Sequence, residues 1–594
     1  MDSTKHSNSG HKASFPQPDE SLNSSFPRRR DKFVWNEFGR PKVGPKGRIQ
    51  GSILQPGPSS NRGLPDNRAS EQDKHNQFLS NKKNSTSTLF IAFLILLVWL
   101  PIPLGSNRPW AWALMEVWVY IIAAAWLFKY ARGRVTLTEP FRQARAALIL
   151  FTLWLGYGIL QMIPLPESVV AVLSPNTASL YQQAYIGPVL ANQNLAPNPI
   201  ARALPVFTDD RSGTQLRTNR NDATTGAPAD DLPVFKLPAT TSTHSVRLTL
   251  DLSASLTSWL KSLAYVLIFG LALLLVDSMK RLKTLAYIIV LSGLAQAVYG
   301  SLSLAIDGGG VANGSFINRN HFAAYLVLGL SIGIGLLVAS MGEGTRVIAW
   351  RQRLRHIGAL LLSSKAPLRI FLAIMVIALV LTHSRMGNTS FFASMLIAGT
   401  LALVQFRSMP RPVIVLIASL IVIDIFIIGS WVGLDQVRDR LVETTLQQET
   451  RDEVGRHSLR LWQDYPLFGS GAGSYQGVFP RYRQADDGKG IYEHAHNDYL
   501  EFLSEYGIIG IVFPAGVVIV ALQNAVNAQR KRRNQFARGI GFAATMAITA
   551  MLIHATVEFN LQIPAYAATF MVLLATAWLA RYLKSANGPQ LDPT

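Results

Sequence analysis

Apolar runs close to twenty residues long recur through this chain, and no other feature constrains its fold as tightly. In a helix, about 20 apolar residues cross the hydrocarbon core of a bilayer. Charged residues make up only 15% of the 594, hydrophobic residues 49%, and the mean hydropathy is +0.21. A soluble domain carries more charge and breaks its apolar runs more often. The chain is therefore read as an all-α polytopic membrane protein. Spans are expected near 88–104, 109–129, 145–163, 257–277, 284–304, 320–341, 367–383, 387–405, 412–431, 508–527, 538–556 and 563–581.

The formal net charge is +20, but its placement argues against nucleic acid. Lys and Arg gather in the N-terminal tail and in short links between apolar runs, the positive-inside pattern. The basic links 130–144, 278–283, 342–366, 406–411 and 528–537 share one side if both termini are cytoplasmic. With no Cys in the chain, disulfides, thiolate nucleophiles and Cys-based metal sites are excluded. Residues 1–87, basic and without hydrophobic period, read as a disordered cytoplasmic tail. Residues 88–163 hold three spans, and 164–256 form an outer segment ending in the strand-like or amphipathic VRLTLDLSASLTSWL. The central bundle is expected over 257–431 and an outer loop over 432–507, with helical spacing from Val437 to Trp462. The last three spans occupy 508–584, followed by a cytoplasmic tail at 585–594.

Four polar clusters fall at the outer ends of spans. They are Asn313–His321, His383-Ser384-Arg385, the Arg456-His457 pair with Arg460, and HAHNDYLEFLSEYGIIG from His494 to Gly510. Arginine on the outer side runs against the positive-inside rule, so Arg319, Arg385, Arg456 and Arg460 are candidate site residues. Guanidinium stays charged and grips phosphate oxygens with paired hydrogen bonds. The blander reading is snorkelling to headgroups or pairing with a carboxylate. Histidine's ordinary pKa lies near neutrality, so His496 can serve as a general base. Asp498 and Glu501 are close enough in sequence to orient an imidazole or bind sugar hydroxyls. Asn497 and Glu501, four apart, share a helical face if a helix starts near Asn497. Asn320 and His321 complete the polar set at the sixth span.

Other polar features carry less. His494-x-His496 could ligate a metal in an extended segment, but no well-spaced third ligand follows, so no metal is expected. His494 is given no role. The glycine-rich Gly469–Tyr475 stretch could cradle phosphate through its N–H groups. It lacks the Lys-Ser/Thr ending of a P-loop, and a plain turn is the favoured reading. Asp424, within the ninth span, reads as an interhelical hydrogen-bonding acid.

The segment HAHNDYLEFLSEYGIIG resembles the signature of the O-antigen ligase and polymerase superfamily. The matching positions are His496, Asn497, Gly507 and Gly510. GRHSLRLWQDYPLFGSGAGSY, FINRNHFAAYL, THSRMGN and HATVEFNLQIPA are similar to other motifs of that family, across roughly 260–580. The resemblance implies a GT-C-type helical bundle with a periplasmic lid, in the bacterial inner membrane, with its active site facing the periplasm. It implies transfer of a glycan from an undecaprenyl-diphosphate carrier to a hydroxyl of a growing glycan or lipid A-core, without cofactor or metal. Arg319 and Arg385 would clamp the diphosphate and His496 would activate the acceptor, with Arg456 or Arg460 assisting. The first outer link, Gly105–Arg108, has no acid of the kind metal-dependent relatives use.

Polymerase is favoured over ligase, with protein O-glycosylation or lipid-oligosaccharide flipping as alternatives. Transporters place their sites at the midplane of repeated halves. This chain has no visible repeat and gathers its ionisable groups at one surface. Membrane lipids and polysaccharide-assembly proteins are the other expected partners.

Overall fold

Among the described residues the apolar runs fold as helices, because a segment in hydrocarbon must pair its own backbone polar groups. The computed structural model describes residues 86–192, 245–308, 310–341, 366–405, 451–483 and 492–584, all within one unit, Glu71–Thr594. In chain order the principal helices begin with α1 (Ser87–Trp99), α2 (Pro109–Ala131), α3 (Arg145–Met162) and α4 (Leu252–Leu275). They continue with α5 (Met279–Asp307), α6 (Arg319–Met341), α7 (Ala366–Leu381), α8 (Arg385–Gln405) and α9, residues 451–464. The last three are α10 (Asp498–Lys531), α11 (Gln535–His554) and α12 (Pro564–Tyr582). Among the described residues nine helices are long and apolar enough to cross a membrane, while α1 and α7 are shorter apolar helices. The chain is a multi-pass membrane protein. The expected span at 412–431, with Asp424, lies outside the described residues, as does the tail up to residue 85.

Helix α6 sits at the centre: 89% of its apolar window is buried, against 28% for α2, which turns Ile121 and Leu127 outward. Between helices in lipid the hydrophobic drive is weak, and close backbone approach matters more. α6 and α11 meet at Gly335 and Gly539, where a Cβ on either residue would strike the other's carbonyl oxygen. The outer segment expected at 164–256 contributes the short helices Glu167–Leu173 and Pro175–Asn192. Among the described residues its only strand pairing is a two-residue antiparallel bridge, Leu165 opposite Val246 and Pro166 opposite Ser245.

One boundary is corrected. The tenth span was expected at 508–527, yet α10 begins at Asp498 and runs 34 residues. Its polar first turns are helical because protein rather than lipid covers them: Asp498, Glu501, Ser504 and Glu505 are all buried. The helix is broken at Gly507, whose φ of 64° and ψ of −177° suit glycine alone. A side chain there would meet the Leu467 carbonyl. The N–H groups freed by the break donate to the preceding loop, Ile508 to Pro466 at 2.9 Å and Ile509 to Leu467 at 3.2 Å. Gln161 of α3 donates to the carbonyls of Phe468 (2.8 Å) and Glu505 (2.9 Å), so the kink leaves its exposed carbonyls satisfied.

Candidate active site

Helix α6 begins with Arg319 and helix α8 with Arg385. A helix N-terminus carries about half a positive charge from its unpaired N–H groups, and acids are the residues normally favoured there. Neither helix has an acid in its first turn. Stacking guanidinium onto a positive dipole end is locally unfavourable and makes each end a strong anion attractor. The N-terminus of α10 reaches the same place, capped by Asn497, whose Oδ1 accepts from Leu500 N at 3.1 Å.

These three helix starts meet α9 around a cavity of about 890 Å³, into which Arg319, Arg385, Arg456, Asn320, His496 and Asn497 all reach. Arg451, Asp452, His383 and Glu558 also line it. The approaches to α8 and α10 are built alike. His383 and His496 each lie two residues before the first helical residue, with left-handed φ values of 52° and 50°. Ser384 and Asn497 follow as caps. Left-handed backbone at a non-glycine residue costs about 1 kcal/mol or more and persists where surroundings hold it, commonly at functional sites.

Glu558, in the link between α11 and α12, joins the walls of the cavity. Its Oε1 accepts from Arg451 of α9 at 3.0 Å and from Asn320 of α6. Its Oε2 lies 3.6 Å from His496 Nδ1, ion-pair range but longer than a hydrogen bond. Burial alone would raise the carboxyl's pKa. His496 and the positive charge of Arg451 outweigh that and hold it at about 2. Sequence reasoning quoted HATVEFNLQIPA without assigning Glu558 a role, and it overlooked Arg451. The one available signal was an acid at a membrane end with no local partner, since Arg451 is 107 residues away.

The remaining expected residues are placed differently. Asp498 is buried and accepts from Leu561 N at 3.2 Å. Glu501, also buried, accepts from His494 Nδ1 at 2.7 Å and from Ala495 N at 2.9 Å. Both carboxylates face protein, and neither lines the cavity. His321 is buried with Nδ1 on Asn560 Oδ1 at 2.9 Å, and Arg460 is exposed outside the cavity lining. His494, given no role from sequence, braces the loop before α10: it stacks on Phe559 at 4.2 Å and binds Glu501. Burial pulls its pKa down, but the Glu501 carboxylate more than reverses this, and the net direction is up.

The glycine-rich turn does hold an acidic side chain, but an internal one, Glu505. Tyr475 N donates to Glu505 Oε1 at 3.2 Å, and Gly471 N to the Glu505 carbonyl at 3.0 Å. That loop is a clamp on α10 and its N–H groups are not open to phosphate. Among the described residues no three His, Asp or Glu side chains are arranged to hold a metal ion.

Residues 370–515 match the family model described as O-Antigen ligase, Wzy_C. The chain carries an O-antigen ligase domain. That family comprises membrane enzymes of glycan transfer, of ligase and polymerase type, acting on lipid-linked glycans. The match holds Arg385, Arg451, Arg456, His496 and Asn497. Arg319 and Glu558 lie outside it, although the fold brings them to the same cavity. No curated protein matches the chain.

Proposed function

We propose that this domain transfers or polymerises a glycan from a lipid-diphosphate carrier, of the undecaprenyl type, onto a hydroxyl acceptor at the periplasmic face of the inner membrane. The observation that carries the proposal is the convergence of Arg319, Arg385 and His496, each at the start of a different helix, on one cavity. The two guanidinium groups and the helix ends beneath them bind the diphosphate. In the reaction the bond from the anomeric carbon to the phosphate oxygen breaks, and the electron pair leaves with the diphosphate. Arginines stabilise the charge that builds there, worth about 3–4 kcal/mol per well-placed donor. The acceptor oxygen forms the new bond on the opposite side of the anomeric carbon, giving inversion, and its proton passes to His496. Diphosphate is a good leaving group and the guanidinium groups supply the positive charge, so the chemistry calls for no metal.

Polymerase activity is the preferred reading, with a growing lipid-linked glycan as acceptor. The test is transfer by purified protein in liposomes with a lipid-diphosphate-linked glycan. Arg385→Ala and His496→Ala are each expected to abolish transfer while expression and helical content stay unchanged. Normal products from either variant would overturn the assignment.

A further inference from the structure

We propose that Glu558 is the positioning residue for His496, and that Arg451 surrenders Glu558 to it when a donor phosphate enters the cavity. This rests on the reading of His496 as the base. Glu558 is built as a carboxylate with one oxygen committed and one in reserve. Oε1 is taken by Arg451 and Asn320. Oε2 is buried and has no hydrogen-bond partner among the described residues, and the same holds for His496 Nδ1, 3.6 Å away. Two complementary buried atoms left just short of a bond are costly, at about 1–3 kcal/mol each, and call for an explanation. Closing the gap needs a movement of only about 0.8 Å to reach a charge-assisted length.

What holds the pair apart is the third partner. Arg451 sits on α9 with 41% of its side chain exposed, in the wall of the cavity that Arg319 and Arg385 also line. An incoming diphosphate offers Arg451 a doubly charged partner with room for two parallel hydrogen bonds. Once Arg451 turns to the donor, Glu558 is free to accept a hydrogen bond from the Nδ1–H of His496. That fixes the tautomer with Nε2 as the basic atom and strengthens it as a base, the role a buried carboxylate plays behind a catalytic imidazole. The base is thus armed only when the donor is bound.

The charged groups around His496 decide the sign of the expected effect. It shares the cavity lining with Arg319, His383, Arg385, Arg451, Asp452 and Arg456, with Glu558 behind. Phe559 separates it from His321 and His494. In the free enzyme the Glu558 carboxylate is paired with Arg451. With donor bound, Glu558 favours the imidazolium.

The experiment is a pH–rate comparison on the full-length protein in liposomes with a lipid-diphosphate-linked glycan. The limb of kcat/KM reports the base in the free enzyme, and that of kcat the base in the complex. In the wild type the kcat limb is expected about one pH unit above the kcat/KM limb. Glu558→Gln is expected to lower kcat about a hundredfold and to narrow the separation between the limbs, leaving only what the donor's own charge supplies. Arg451→Gln, at an exposed side chain, is expected to raise the donor KM and lift the kcat/KM limb to the kcat limb. Coincident limbs in the wild type overturn the proposal, as do limbs that stay in place in both variants, the mark of a merely structural role. A fully active His496→Ala overturns the base assignment itself. An inactive His496→Ala with coincident wild-type limbs overturns the switch alone.

Discussion

Asn497 separates a structural reading of the signature from a substrate-binding one, and the difference can be measured. The sequence places it beside the base as a substrate contact, but both ends of its side chain are already engaged. Oδ1 caps α10 by accepting from Leu500 N at 3.1 Å, and Nδ2 donates to Thr556 O at 2.9 Å. Losing an N-cap costs about 1 kcal/mol. A partly exposed side-chain hydrogen bond adds about 0.5–1 kcal/mol. Asn497→Ala should therefore lose about 1.5–2 kcal/mol, a factor of about 10–30 in the folded to unfolded ratio. Asn497→Ser keeps a capping hydroxyl and should recover the larger share, about 1 kcal/mol. The assay is equilibrium unfolding of the purified protein in mixed detergent–SDS micelles, with kcat and donor KM measured on the same samples. Stability falling in the order Asn, Ser, Ala, with activity following it, is the expected result. An Ala variant as stable as wild type but with a raised donor KM would refute the reasoning and return Asn497 to the substrate.

Three further outcomes are expected. Gly507→Ala forces a side chain into left-handed backbone and against the Leu467 carbonyl, and should cost about 2–5 kcal/mol in the same unfolding assay; wild-type stability would remove the kink from the account. His494 has a raised folded pKa through Glu501, so its stabilisation is fully present below its ordinary pKa of about 6.5 and is lost as pH rises through the folded value. The stability gap between wild type and His494→Gln should therefore be wider at pH 5.5 than at pH 9, and a gap independent of pH would contradict the pairing. Arg385→Lys keeps the charge but loses the paired hydrogen bonds, so it should raise donor KM and lower kcat while remaining measurably more active than Arg385→Ala; equal activity in the two variants would mean that charge is irrelevant at that position.

Much of the fold is legible in the sequence because bilayer thickness sets a length that composition alone reveals. The apolar runs at 109–129, 320–341 and 563–581 each coincide with a helix to within a few residues. The start of α10 is also legible, since Asn497 followed by Asp498 and Glu501 is a capping sequence with acids in the first turn. Its true length is not, because buried acids at Glu501 and Glu505 look like loop chemistry until His494 and Ala495 are seen to hold the first and the Gly469–Tyr475 turn the second. The arginines could be picked out one by one from their breach of the positive-inside rule, but not the fact that Arg319 and Arg385 both start helices facing one cavity. Glu558 was hidden for the same reason: its partners Asn320, Arg451 and His496 come from three other elements, and no local spacing encodes such a meeting.

The central claim is that this cavity breaks a lipid-diphosphate glycan bond and hands the glycan to a hydroxyl. It is tested most directly by counting lipid diphosphate released against glycan transferred, in liposomes containing purified protein, a labelled donor and an acceptor. The expected result is one lipid diphosphate per glycosidic bond formed, with inverted anomeric configuration, and neither product from His496→Ala. Movement of intact donor across the bilayer with no diphosphate released would contradict it.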